Sequence, residues 1–221
     1  MRHHRFTGRS GTFFGYEGLG SVYWHMVSKL GLAVIETYDL ASQTLVAPQI
    51  LAQLKSHYRE IRDGLGLNRS PEEFGAFPTD PYSHTPQHAG AQQPGMTGQV
   101  KEDLLSRMAE IGIRIREGIV VFEPSLFEGS EFLTSLSSFE FDDLHGQRCD
   151  IQLSPGCFAF TLCQVPVIYR LADKTELKIY RHGKPGCLTR DCNQLTFEES
   201  SSLFSRDGTI EKIVFCFAPH G

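Results

Sequence analysis

The hydrophobic period of this chain changes at Gly112, and that change limits the fold more than any other feature. Before it, apolar residues recur at three- and four-residue spacing, the period of helices that bury one face. Val22, Met26, Val27, Leu30, Val34 and Ile35 predict a helix over 21–38, with Ser21 as its N-cap. Ile50, Leu51, Leu54, Tyr58, Ile61 and Leu65 predict a second over Pro48–Leu65, stopped by Gly66. Ser70-Pro71-Glu72-Glu73 has the cap, the proline and the acid of a single helical turn. A third helix is predicted over Thr97–Glu110, with Val100, Leu104, Met108 and Ile111 on one side and Gly112 ending it.

After Gly112 the period becomes that of strands. Ile113-Arg114-Ile115 and Ile119-Val120-Val121-Phe122 flank Glu117-Gly118, a hairpin signal. Runs at 139–141, 149–153, 157–171, 176–180 and Ile210–Phe217 continue the pattern. His145-Gly146, Pro155-Gly156, His182-Gly183 and Asp207-Gly208 punctuate them. The sequence therefore predicts an α+β chain: a helical segment over 1–112, then an antiparallel, sandwich-like β domain over 113–221, with Pro166 at a bulge or an edge. Two long helices cannot bury their apolar faces against each other and one sheet alone, so the helical half reads as part of a larger helical layer. The Gly-rich aromatic stretch at 11–18, met so early, gives the same expectation of a preceding part of the polypeptide.

Composition removes several function classes. Hydrophobic residues are 40% of the 221, with 16 Phe, which is enough for a core. A net charge of −5 without a basic stripe argues against a nucleic-acid or anionic-membrane surface, and Arg2-His3-His4-Arg5 is too short to reverse that. No window has the apolar length of a membrane span, and residues 1–10 do not resemble a signal peptide. A cytoplasmic location is the expectation. Cys149, Cys157, Cys163, Cys187, Cys192 and Cys216 form no Cys-x-x-Cys pair and read as reduced thiols, with a zinc site as the alternative.

The chemistry-bearing residues cluster around one loop. Residues 85–99 bring His88, Gln92, Gln93 and Gln99 into a glycine- and proline-broken stretch suited to a polar ligand rather than to a core. That loop opens onto the helix starting at Thr97-Gly98, whose free N–H groups and positive dipole end suit a phosphate. Thr97 also reads as an ordinary N-cap, whereas Gly98 weakens a helix by roughly 1 kcal/mol relative to Ala and lets an anion approach the backbone. His25 lies beside the apolar stripe of the first helix, where a hydrogen-bonded, half-buried histidine is the plain alternative to a ligand. Tyr16 and Glu17 belong to the Gly-rich stretch that reads as lining a site. His84 and His88 are not a helical zinc pair, because Pro86 lies between them. No Gly-x-Ser-x-Gly elbow, phosphate-binding Walker loop or dinucleotide fingerprint is present, and neither cofactor nor metal is expected.

The order of these features resembles that of the inverting glycoside phosphorylases of the cellobiose and chitobiose phosphorylase type. Tyr23-Trp24-His25 on a helix is followed by a second helix, His88-Ala89-Gly90, Thr97-Gly98 and a third helix. Gly112-Ile113-Arg114, Gly118-Ile119 and Glu123-Pro124 complete the likeness, which spans residues 18–124. The resemblance implies the terminal helices of an incomplete (α/α)6 toroid followed by a β-sandwich. It further implies inorganic phosphate on His25, Thr97 and Gly98, with His88 shaping the sugar or phosphate pocket. The partners would be an oligosaccharide, phosphate, the missing N-terminal part with its general acid, and in one variant a second copy. Two departures qualify it: Ala91-Gln92-Gln93-Pro94-Gly95-Met96 stands where the family is rich in Trp and Tyr, and Gln99 where it has Ser. The family's sugar is therefore not carried over, and a hydrolase on the same scaffold stays open. A non-catalytic carbohydrate- or partner-binding module is the reading from a different class.

Overall fold

The computed structural model describes residues 24–65 and 97–218. Its contacts divide the chain into two units, Met1–Arg107 and Met108–Gly221.

In the first unit, α1 (Trp24–Ser42) and α2 (Pro48–Leu65) pair through a short connection. Helix α1 runs one turn beyond the expected end at Tyr38. Side-chain hydroxyls there back-bond to the helix carbonyls, Ser42 to Asp39 at 2.7 Å and Thr44 to Ala41 at 3.0 Å. Its buried positions are Ser28, Gly31, Ile35 and Tyr38, the i, i+3, i+7, i+10 row that faces a partner helix. Gly31 sits against Ile61 of α2, where an added Cβ would lie 3.4 Å from Cγ2. Pro48 opens α2 at the first helical position, where an N–H would have no intrahelical acceptor, and Tyr58 is its buried anchor. Leu30, Leu40, Leu45 and Ile50 remain exposed.

Helix α3 (Thr97–Glu110) starts and ends where its sequence predicts. Gly112 terminates it with φ +78°, its N–H bonding back to the Ala109 carbonyl at 3.1 Å. Of the expected apolar face, Ile111 is buried and Met108 packs against the β core, while Leu104 is exposed.

The second unit opens with the hairpin β1 (Ile113–Arg116) and β2 (Ile119–Phe122). Glu117 and Gly118 both have positive φ, the two-residue turn whose twist suits paired strands. A second hairpin joins β3 (Ser137–Asp142) to β4 (Arg148–Leu153). The remaining strands are β5 (Cys157–Leu162), β6 (Val165–Leu171), β7 (Glu176–Arg181), β8 (Cys187–Arg190) and β9 (Ile210–Phe217). They form one sheet in the order β5-β6-β9-β7-β8. A helix not foreseen in the sequence, α4 (Phe197–Ser205), lies between β8 and β9.

The expectation of purely antiparallel pairing fails at the centre of this sheet, where β6 and β9 run parallel. The chain leaves β6, makes the β7–β8 hairpin and α4, and returns as β9 between β6 and β7; such a crossover is what allows a parallel neighbour. Pro166 precedes the first β6–β9 pair, Val167 with Ile213, so its missing N–H costs that ladder nothing.

Each face of the sheet is buried differently. On one, Tyr169, Phe215, Leu177 and Ile213 pack with Val120, Phe122, Phe127 and Leu203. Tyr169 is the hub, edge-on to Phe122, Phe127, Phe160, Phe215 and Phe217, and its hydroxyl donates to the Ile111 carbonyl at 2.7 Å. On the other face, Leu153 of the β3–β4 hairpin joins Cys157, Ile168, Val214 and Cys216, with Phe139 and Ile151 against them. No helix among the described residues is long and apolar enough to cross a membrane.

Candidate functional site

Thr97, Gly98 and Gln99 are consecutive residues of the first turn of α3. The first turn of any helix presents amide N–H groups without an intrahelical acceptor, together with the positive end of the dipole. Among the described α-helices only α4 has acidic residues in its first turn; α1, α2 and α3 have none, so the start of α3 carries no counter-charge of its own within the turn. His25 is the second residue of α1. Tyr16, Glu17, His88, Gln92 and Gln93, as well as the Ser70-Pro71-Glu72-Glu73 turn, lie outside the described residues. The structure therefore brings together Thr97, Gly98 and Gln99, and gives His25 a helical backbone.

The best-organised ionic group among the described residues is in the second unit and is not one the sequence reading singles out. Glu199, buried near the start of α4, accepts from Arg181 of β7 at 3.1 Å and from Arg190 of β8. It also closes a capping box: its carboxylate accepts from the Thr196 amide at 2.9 Å, and the Thr196 hydroxyl accepts from the Glu199 amide at 3.2 Å. Burial pushes the Glu199 carboxyl up; the Thr196 amide and the two guanidiniums outweigh it and hold the group below the usual carboxylate range. A carboxylate so fully engaged is a poor base and, ionised at neutral pH, no acid. Its chemistry is that of a clasp between α4 and the β7–β8 hairpin. Thr196-x-x-Glu199 is the sequence signal that announces it.

Ser200 is fixed in the same way. Its hydroxyl accepts from the Val120 amide at 3.0 Å and donates to the Thr196 carbonyl at 2.8 Å, tying α4 to β2. Asp143 turns the β3–β4 hairpin, accepting from the Gln147 and His145 amides at 2.8 Å each. These bonds, led by that of Gln147, lower its carboxyl from the ordinary value. All six cysteines are free thiols, and the described residues hold no group of three or more His, Cys, Asp or Glu placed to bind a metal ion.

Compared with known proteins, the chain matches no family model, and no curated protein aligns with it.

Proposed function

We propose that the first turn of α3 holds an inorganic phosphate or phosphate-like anion, with His25 as its second donor. In this reading the chain is the phosphate-binding part of a carbohydrate-active enzyme that cleaves glycosidic bonds by inverting phosphorolysis. The helices belong to an (α/α)6 toroid, and the strands form its β-sandwich. The observation that carries the reading is the start of α3 at Thr97-Gly98, which puts a hydroxyl residue and a glycine at the first two positions of the helix. Gly98 costs the helix stability yet leaves its amide open to a close ligand. The exposed Leu30 and Leu40 of α1 and Ile50 of α2 agree with helices that belong to a larger layer.

In an inverting phosphorolysis the phosphate attacks the anomeric carbon from the face opposite the general acid, in place of the water of an inverting hydrolase. Thr97, Gly98 and His25 then serve to hold and orient the nucleophile, and the acid lies outside the residues of the resemblance. Gln92, Gln93, Gln99, Tyr16, Glu17 and His88 are the residues assigned to the sugar.

Calorimetric titration with inorganic phosphate tests this. Losing one hydrogen bond to a charged ligand is worth about 1.5–3 kcal/mol, so His25→Ala is expected to weaken phosphate at least about tenfold. Thr97→Ala removes a hydroxyl donor to the same charged ligand and is likewise expected to weaken it at least about tenfold. Phosphate affinity indifferent to both changes would remove the assignment. Sugar affinity that instead follows aromatic residues of the second unit would favour a binding module.

A further inference from the structure

We draw no further inference here: the strongest candidate, the exposed aromatic face of α4 carried by Phe197 and Phe204, is a helix face that nothing in the structure shows to be covered by any particular partner.

Discussion

Replacing Gly112 by Ala should be the most damaging small substitution in the second unit. Gly112 has φ +78°, and a Cβ built on it would lie 2.2 Å from the Glu123 carbonyl carbon and 2.3 Å from both its oxygen and the Pro124 nitrogen. Those atoms are backbone, so no rotamer relieves the overlap. The same residue accepts a hydrogen bond from the Glu123 amide at 2.7 Å, which fixes how the exit of β2 passes the end of α3. Left-handed backbone on a residue with a Cβ costs about 1–2 kcal/mol. Forcing packed atoms apart adds about 1–3 kcal/mol, and the weakened Glu123–Gly112 bond about 1 kcal/mol. The sum is about 3–6 kcal/mol. With a urea slope of about 2 kcal/mol per molar, the unfolding midpoint should fall by about 1.5–3 M. Gly146→Ala is the matched control, since Gly146 has φ +72° but no atom within 4 Å of an added Cβ. It should lose only the backbone part, about 1–2 kcal/mol. Urea unfolding followed by circular dichroism compares the two; equal losses would refute the argument that the Glu123–Pro124 backbone is the obstacle.

The remaining expectations concern α4 and the aromatic core. Ser200→Ala strands the buried Val120 amide and should cost about 1–3 kcal/mol, whereas exposed Ser201→Ala should stay within about 0.5 kcal/mol; thermal melts of both variants decide it. Glu199→Gln leaves two guanidiniums facing an uncharged amide and should cost about 3 kcal/mol at neutral pH. A carboxyl lowered in the folded state contributes stability above its unfolded pKa and loses it as pH falls through the folded value. Stability profiles of Glu199→Gln and the parent should therefore converge toward acid, and parallel profiles would show that the clasp is not electrostatic. Tyr169→Phe removes the bond to Ile111 and should cost about 1–2 kcal/mol. Burial raises the Tyr169 hydroxyl far above the ordinary tyrosine range, so ultraviolet titration should show it ionising only as the chain unfolds.

Much of the backbone was legible because it obeys local rules. Helices α2 and α3 and strand β9 fall where their periods place them, and Glu117-Gly118 makes the turn its residues demand. The β5–β6 turn was not legible: residues 157–171 read as one run, because Cys163 and Gln164 carry no turn signal. Both adopt positive φ, and Gln164 Nε2 donates to the Asp143 carbonyl at 3.1 Å, a tertiary contact that no local pattern announces. Helix α4 is hidden for a different reason: it has a capping box, but its nine residues lie between the strand runs at 176–180 and 210–217 and are too few for a helical period to stand out. The parallel β6–β9 pair depends on a crossover, which local periodicity does not encode. Of the candidate site, Thr97, Gly98 and Gln99 come together because they are neighbours in sequence at a helix start. Tyr16 and Glu17 would join them only through long-range folding, whereas His88, Gln92 and Gln93 precede them in the same stretch of sequence; all five lie outside the described residues.

The most direct test of the central claim is an amide-resolved NMR titration of the chain with inorganic phosphate. The account predicts saturable shifts largest at the amides of Thr97, Gly98 and Gln99, reduced by His25→Ala. Shifts that do not saturate, or that concentrate in the second unit while those three amides stay still, would contradict it.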